Sequence, residues 1–289
     1  MSTIKLSSLF VILVCSTTLM SCMKKQPHSN PESSQDPYLN STNETWDLFW
    51  SDEFDGKRID SNKWNFQKEP AGRFNEEWQR YTTSSNNAYV ENDQLVIKAI
   101  HESDTHGLNQ YTSARLNTAG KFSFRYGKIS ARIKLPYSEG IWPAFWMLGA
   151  NIDENGGDTP WPQCGEVDIL ELYGSKDDAA IEVNAHYADS TGQHDQMHAK
   201  AYKLKEGIFA DDFHVFELEW TPNEFIWYVD GNKVAGLDIS SDEYNEFHQE
   251  FFVLLNIAVG GTFAGRPDES SVFPQYMYVD WVRVYKQAK

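Results

Sequence analysis

The sequence contains little cysteine, and the little it has is unevenly placed. Three cysteines occur in 289 residues, and two of them, Cys15 and Cys22, lie in the first 22 positions. Cys164 is the one cysteine in the rest of the chain, which excludes an internal disulfide there. Although Cys164 lies two residues before Glu166, we interpret it as a small buried residue and not as a nucleophile.

The N-terminus lacks an apolar run long enough to cross a bilayer, because its apolar stretch covers little more than residues 9–14. Lys5 precedes this stretch, and residues 19–22 (LMSC) resemble a bacterial lipobox. We therefore predict a lipoprotein signal peptide over residues 1–21 and a lipid on Cys22. The lipid would anchor the protein at the cell surface or the periplasmic side of a membrane. The alternative is an ordinary secretory signal, which would release it.

Apolar residues are nearly missing from residues 22–44, which are rich in Ser, Asn, Pro and Gln. Such a segment cannot bury a core, so we predict a flexible tether that begins at the lipidated Cys22. Residues 45–289 have the length of one all-β domain. The chain is 40% hydrophobic and 14% aromatic, which suffices for one large core and leaves aromatic side chains for a cleft.

Positive charge is scarce, with 25 Lys and Arg against 42 Asp and Glu and a formal net charge of -17. An acidic protein repels polyphosphate, so the charge argues against nucleic acid as a partner. The same repulsion disfavours a heavily sulfated glycan and favours a neutral substrate.

No long amphipathic helix is visible, and the hydrophobic periodicity is that of β-strands. Polar and apolar residues alternate over residues 121–126 and 128–134. Residues 224–229 end at Asp230 and Gly231, which predict a hairpin. These patterns predict an all-β fold, either a sandwich or a barrel.

Three acidic residues, Glu166, Asp168 and Glu171, lie within six consecutive positions. On a regular strand Glu166 and Asp168 share one face about 6.6–6.8 Å apart, while Glu171 points to the other face. One β-bulge between Asp168 and Glu171 would bring all three to the same face. Because close carboxylates cannot all ionise cheaply, one pKa should rise while another stays low, which places a proton donor beside a nucleophile.

These two roles are those of a retaining glycosidase, whose two carboxyl groups lie about 5–5.5 Å apart. The alternative is a surface strand that is merely acidic. Nearby tryptophans favour the glycosidase, because the flat C–H faces of sugar rings pack well on indoles. Trp142 and Trp146 lie in the run Trp-Pro-Ala-Phe-Trp, and Trp161 precedes Glu166 by five residues.

Ordered motifs extend over most of the chain: residues 52–54 (DEF), 111–116 (YTSARL), 126–132 (YGKISAR), 142–146 (WPAFW), 161–171 (WPQCGEVDILE), 219–222 (EWTP), 228–231 (YVDG) and 279–285 (VDWVRVY). On these motifs the sequence resembles glycoside hydrolase family 16, and in particular its laminarinase-like members. The resemblance implies that residues 45–289 form a catalytic domain. It also implies a β-jelly-roll sandwich of two curved antiparallel sheets, with an open concave cleft for a polysaccharide.

The resemblance further implies roles for individual residues. Glu166 is the expected nucleophile, Glu171 the general acid and then base, and Asp168 a hydrogen-bond partner that tunes the nucleophile. The expected substrate contacts come from tryptophan platforms and polar side chains, namely Trp142, Trp146, Trp161, Arg115, Asn75, Glu77 and His186. The segment around Asn75 departs from the usual family pattern, Asn-Asn-Glu followed by Leu-Gln.

One structural ion is implied and no catalytic cofactor. In relatives a calcium ion lies on the convex face, and the matching positions here are Glu53, the backbone carbonyl of Asp93, and Asp280. Oxygen ligands of this kind suit calcium, although surface acids that simply pair with other groups are an alternative.

Three histidines, His186, His194 and His198, are close in sequence. A strand-loop-strand segment does not by itself bring three side chains together, so we do not predict a metal cluster from them.

The expected function is therefore endo-cleavage of a neutral β-1,3-glucan, such as laminarin, by a monomeric enzyme that retains the anomeric configuration. Residues 161–164 look more like laminarinases than agarases. A mixed-linkage β-1,3/1,4-glucanase, an agarase or other galactanase, and a transglycosylase remain alternatives within the family. A non-catalytic carbohydrate-binding module would keep the tryptophans and lose the acids, so the complete acid set favours an enzyme.

Overall fold

A computed structural model describes residues 45–103, 107–174 and 176–288. The predicted signal peptide (1–21), the lipidation site Cys22 and the tether (22–44) lie outside the described residues. Within the described ranges, no helix is both long and apolar enough to cross a membrane.

The described residues form β-strands joined by short loops. In chain order the strands are β1 Trp46–Asp52, β2 Asn65–Phe66, β3 Gln79–Tyr81, β4 Ala88–Glu91, β5 Gln94–His101, β6 Tyr111–Ser113, β7 Arg115–Asn117, β8 Gly127–Lys134, β9 Ile141–Gly149, β10 Glu166–Glu171, β11 Ala180–Ala188, β12 His194–Gln196, β13 Tyr202–Lys203, β14 His214–Trp220, β15 Glu224–Val229, β16 Asn232–Asp238, β17 Phe251–Val259 and β18 Gln275–Gln287. The helical segments are two 3-10 helices, Asp153–Asn155 and Asp242–His248, and one turn of α-helix, α1, Gly261–Ala264.

The strands form two sheets. A ten-stranded sheet has the order β16-β15-β14-β8-β18-β5-β6-β3, with β1 beside β18 and β4 beside β5. An eight-stranded sheet has the order β12-β11-β10-β9-β17-β7-β2, with β13 beside β11. Strands β9, β10, β11 and β17 pair in antiparallel fashion, whereas β3 and β6 are parallel. The predicted all-β jelly-roll sandwich of two antiparallel sheets is confirmed, with β3 and β6 as a parallel exception.

Alternate residues of the eight-stranded sheet face the core and the opposite surface. In β9, Phe145 and Met147 belong to the main buried apolar cluster, whereas Trp142 and Trp146 line a cleft on the other face. Strand β17 is buried along all nine of its residues, so neither face of this strand is open to solvent. One face of this sheet therefore packs in the core of the protein, and the other face forms the floor of the cleft.

Cys164 is fully buried immediately before β10. Burial raises the pKa of its thiol to about 12, so the sulfur stays protonated at neutral pH. The interpretation of Cys164 as a buried residue is confirmed.

Candidate active site

Strand β10 contains the β-bulge that the spacing of the acids predicts. Against β11, Asp168 pairs with Asn184 and Glu171 pairs with Glu182, so three steps along β10 match two along β11. The register against β9 also shifts, between Asp168 and Leu170. Leu170 is packed in the core, and the extra residue turns Glu171 back to the face that carries Asp168.

All three acids line one cleft of about 550 Å³ on the face of the eight-stranded sheet that is turned away from the core. Strands β9, β10, β11 and β17 supply its floor. The residues predicted to contact substrate also line this cleft, namely Asn75, Glu77, Arg115, Trp142, Trp146, Trp161 and His186. The structure therefore brings together side chains that lie up to 111 residues apart in the sequence, from Asn75 to His186.

Glu171 is held by two hydrogen-bond donors. The indole Nε1 of Trp142 donates to Oε1 at 2.9 Å, and the hydroxyl of Tyr173 donates to Oε2 at 2.9 Å. Glu166, Asp168 and Glu171 together form the acid row of the cleft. The Glu171 side chain is almost completely buried at one end of this row. Both donors fix the orientation of the carboxyl group, as a proton donor in a cleft requires.

Glu166 lies at the more open end of the acid row. The indole Nε1 of Trp161 donates to its Oε2 at 3.0 Å, and Nε2 of His186 lies 3.9 Å from its Oε1. Trp161 is 44% exposed, so one indole touches both the carboxylate and the open cleft. A ring in this position can contact a bound sugar while its N–H orients Glu166.

Asp168 lies between the other two acids and is 2% exposed. Its Oδ2 lies 3.1 Å from Nε2 of His186. Its backbone carbonyl accepts a hydrogen bond of 2.9 Å from the indole Nε1 of Trp227, which reaches across the core from β15 in the other sheet. Because a bulge interrupts the ladder of backbone hydrogen bonds, this indole stabilises the bulge itself.

We expect Trp227→Phe to lower the free energy of unfolding by about 1–3 kcal/mol, because it removes the indole N–H that donates to the buried carbonyl of Asp168. The value of kcat should also fall, since the bulge that aims Glu171 loses its support. Denaturant unfolding and steady-state kinetics measure the two effects.

The matched control is Trp220→Phe. The indole of Trp220 donates to the carbonyl of Phe247 at 3.1 Å, and neither residue lines the cleft. This variant should lose similar stability with little change in kcat. An equal loss of kcat in both variants would contradict a specific role for Trp227.

Burial raises the pKa of all three acids well above the ordinary carboxyl range. Repulsion from Asp168 raises the pKa of Glu166 and Glu171 further. The sequence led us to expect one low pKa, and that expectation is wrong because loss of hydration acts on every member of the row. The cluster therefore retains a proton into neutral pH, as a general acid requires.

We expect Asp168→Asn to shift both limbs of the pH profile of kcat/KM to lower pH, on the order of one unit. Removing the negative charge lowers the pKa of Glu171, so the proton needed for catalysis is lost at lower pH. It also lowers the pKa of Glu166, so the carboxylate persists into more acidic solution. Glu182→Gln, which alters another acid of the cleft, is the control and should leave the limbs in place. Limbs that move towards higher pH in Asp168→Asn would contradict the assignment.

His186 forms a close pair with His194 of β12. Nδ1 of His186 and Nε2 of His194 are 2.9 Å apart, and the rings stack with centroids 5.1 Å apart. The ring of Trp161 lies 4.6 Å from that of His194. His198 is exposed and is not among the described residues that line the cleft. Two of the three histidines therefore converge beside the acids, and the third does not.

Arg115 is held between two aromatic rings. Its guanidinium carbon lies 4.5 Å from the ring centre of Phe74 and 4.6 Å from that of Trp146. Its Nε donates to Oε1 of Gln67 at 2.8 Å. This stack forms a rigid wall of the cleft, in which a cation–π contact on each side fixes the charge.

Glu77 and Asn75 lie near this wall, but Glu77 is 5% exposed. Its Oε2 accepts hydrogen bonds from Nε2 of Gln79 at 2.6 Å and from the hydroxyl of Tyr81 at 3.3 Å. Burial raises the pKa of Glu77. Glu77 therefore organises neighbouring side chains more than it presents an open carboxylate to the cleft.

Sequence reasoning missed several residues of the cleft. Phe263 on α1 is 51% exposed and packs edge-on to the ring of Trp142, with centroids 5.5 Å apart. Asn256 on β17 accepts a 2.7 Å hydrogen bond from Nε1 of Trp146. Tyr173 lies two residues beyond Glu171. Among the missed residues, it is the one that spacing alone could have identified as a neighbour of the acids.

Two of the three predicted calcium ligands, Glu53 and Asp280, are paired with arginines. Both carboxylate oxygens of Glu53 accept hydrogen bonds from Arg283, at 3.0 and 2.9 Å. Oδ2 of Asp280 accepts one from Nη1 of Arg132 at 3.0 Å. A calcium ion at this site would compete with both guanidinium groups for these carboxylates, and the ion site stays a prediction.

Comparison with known protein families identifies the family that this chain matches. Residues 74–283 match the family described as "Glycosyl hydrolases family 16". The matched range includes β10, the acid row and all the residues predicted to contact substrate.

Individual relatives differ in how much of their length the chain covers. The chain is 36% identical over 263 residues to "Glucan endo-1,3-beta-glucosidase A1" of Niallia circulans, which covers 83% of this chain and 38% of the relative. It is 36% identical over 261 residues to "Beta-glucanase" of Rhodothermus marinus, covering 83% of this chain and 85% of the relative. The crystal structure of the laminarinase catalytic domain from Thermotoga maritima MSB8 matches with a TM-score of 0.73 and 45% identity, over 85% of this chain and 100% of that one.

Proposed function

This chain belongs to glycosyl hydrolase family 16 and is a glycoside hydrolase, and on that premise we propose that it is an endo-β-1,3-glucanase acting on laminarin-type glucan with retention of configuration. One observation carries the proposal. The bulge in β10 turns Glu166, Asp168 and Glu171 into the same cleft, although a regular strand would separate Glu171 from the others.

The proposed first step joins the sugar to the protein. The carboxylate of Glu166 attacks the anomeric carbon while Glu171 gives its proton to the departing glycosidic oxygen, so one C–O bond forms as another breaks. The elevated pKa of Glu171 keeps that proton available near neutral pH. The indole N–H of Trp161 orients Glu166 for attack.

The second step releases the sugar. Glu171, now ionised, removes a proton from water, and the resulting nucleophile displaces Glu166 from the anomeric carbon. Two inversions at the same carbon leave the new reducing end in the β-configuration. Asp168 sets the charge of the row and holds no covalent intermediate.

Electrostatics support a neutral glucan as the substrate. Among the described residues that line the cleft, seven are acidic, whereas Arg115 is the one arginine or lysine. A sulfated or otherwise anionic glycan would meet repulsion from the acids of this surface that are ionised, and the single arginine offers it little compensation. The relatives named as a glucan endo-1,3-β-glucosidase and a laminarinase agree with a β-1,3-glucan.

The test is incubation with laminarin, mixed-linkage β-1,3/1,4-glucan and agarose, followed by product sizing and early proton NMR. We expect laminarin to give a ladder of short oligosaccharides, with β-anomers at new reducing ends before mutarotation. Initial α-anomers would overturn double displacement. Cleavage of agarose without cleavage of laminarin would overturn the substrate.

We also propose that the protein is a lipoprotein anchored through Cys22, on the basis of the N-terminal sequence. The wild-type protein should partition with membranes when produced in bacteria, and Cys22→Ser should move it to the soluble fraction. Partitioning that is the same in both would contradict the anchor.

A further inference from the structure

Three side chains of the cleft place potential metal ligands at one point. Glu166, Asp168 and His186 each contribute one ligand atom, and these atoms all lie within 4.8 Å of one another. Nε2 of His186 lies 3.1 Å from Oδ2 of Asp168 and 3.9 Å from Oε1 of Glu166. The point of convergence is in the cleft and open to solvent on the side of Glu166.

These distances suit a small tetrahedral ion. Bonds of about 2.0–2.2 Å place neighbouring ligand atoms roughly 3.3–3.5 Å apart around Zn²⁺. The two distances from Nε2 of His186 fall on either side of that value. The ligand oxygens of Glu166 and Asp168 lie within 4.8 Å of each other, so side-chain rotations that draw the three groups together would complete three ligand positions and leave the fourth to water.

Asp168 supplies an independent indication. Its Oδ2 is buried and has no hydrogen-bond partner among the described residues, because its contact with Nε2 of His186 is close in distance but does not form a hydrogen bond. A buried acceptor without a donor costs free energy. A cation at the point of convergence would satisfy it.

His186 is also oriented as a metal ligand requires. Its Nδ1 lies 2.9 Å from Nε2 of His194, so an Nδ1–H group can donate to His194 and leave the Nε2 lone pair directed at the acids. A hydrogen bond at the second ring nitrogen is the usual support for a histidine ligand, because it fixes the tautomer and the ring.

We propose that Glu166, Asp168 and His186 form a binding site for a transition-metal cation of the Zn²⁺ class, and that the bound cation inhibits hydrolysis. One imidazole and two carboxylates favour such an ion over Ca²⁺ or Mg²⁺, which take oxygen ligands. Inhibition follows because the cation takes up the carboxylate of Glu166 and so removes the nucleophile. Metal binding is independent of the proposed function, whereas inhibition rests on it.

Calorimetric titration of the full chain with Zn²⁺ tests binding directly. We expect His186→Ala and Glu166→Gln each to weaken the Zn²⁺ affinity of this site by at least tenfold, and His194→Ala to weaken it by about 10–100-fold through loss of support. His198→Ala is the matched control, since this exposed histidine of the same segment does not line the cleft. Zinc bound elsewhere is common to all variants and cancels in the comparison.

Co²⁺ provides a spectroscopic test of the same site. Visible absorption bands of tetrahedral Co²⁺ should appear with the wild-type protein and with His198→Ala, and should be lost with His186→Ala. Thermal unfolding of the metal-free variants checks that each one is folded, and His186→Gln replaces His186→Ala if the latter is not. Zinc isotherms that are identical for the wild type and the His186 variant would overturn the site.

A laminarin assay then tests inhibition. Zn²⁺ should inhibit at the concentration at which the calorimetric site fills, EDTA should restore activity, and Mg²⁺ at the same concentration should have little effect. Zinc binding that leaves laminarin hydrolysis unchanged would overturn the inhibitory role. A protein that binds Zn²⁺ at His186 but never hydrolyses laminarin would instead refute the proposed function and leave the metal site standing.

Discussion

Glu166→Ala should abolish polysaccharide hydrolysis, with a loss of kcat on the order of 10⁴–10⁶-fold. The substitution removes the only group assigned to form the covalent bond, while Glu171 and its two hydrogen-bond donors remain in place. The loss should be concentrated in kcat, because the tryptophans and Arg115 that line the cleft are unaffected. Kinetics on laminarin measure this effect.

Azide makes the same variant diagnostic. A small anion can enter the space left by the carboxylate and attack an activated β-glycoside from the side of Glu166, which inverts the carbon once and gives an α-glycosyl azide. Glu166→Gln is the matched control, because it loses the nucleophile but fills the space and should show no rescue. Normal turnover by Glu166→Ala, or a β-glycosyl azide as its product, would contradict the role assigned to Glu166.

The fold and the acid row were accessible from sequence because both depend on strand periodicity. A period of two residues fixes which side chains share a face, so the odd spacing between Asp168 and Glu171 required a bulge if all three acids were to act together. The observed shift of register lies between those two residues. The indoles of Trp142 and Trp146 follow the same rule, since they occupy alternate positions on β9 and both line the cleft.

The partners of the acids were not accessible, because they come from distant parts of the chain. Trp227, which supports the bulge, lies 59 residues from Asp168 and in the opposite sheet. Asn256 is 110 residues from Trp146. No local pattern specifies contacts across a sandwich, because they depend on how the two sheets pack.

Charge was the least predictable property. Spacing alone suggested that repulsion would separate the pKa values of the acids, but burial raises the pKa of each one. The arginine partners of Glu53 and Asp280 were missed for a similar reason. Arg283 and Arg132 lie 230 and 148 residues away, and a motif that matches a calcium site does not reveal such a competitor.

Glu171→Ala should produce a different defect from Glu166→Ala. Loss of the proton donor should slow laminarin hydrolysis by about 10²–10⁴-fold, because the glycosidic oxygen is a poor leaving group without a proton. A dinitrophenyl β-glycoside needs no such proton, so its first step should remain fast and show a burst of released phenol. The second step should then limit turnover, since no base activates water.

Added azide should restore turnover of this variant, because an anion needs no base. It would attack the covalent intermediate from the side opposite Glu166, and this second inversion gives a β-glycosyl azide. Tyr173→Phe is the matched control. It removes the hydroxyl that donates to Oε2 of Glu171, so the pKa of Glu171 should rise and the basic limb of the profile should move to higher pH, with no azide product. The anomer of the azide product distinguishes the two roles. An α-azide from Glu166→Ala and a β-azide from Glu171→Ala would place the nucleophile and the acid/base on opposite faces of the sugar. The same anomer from both variants would refute that arrangement.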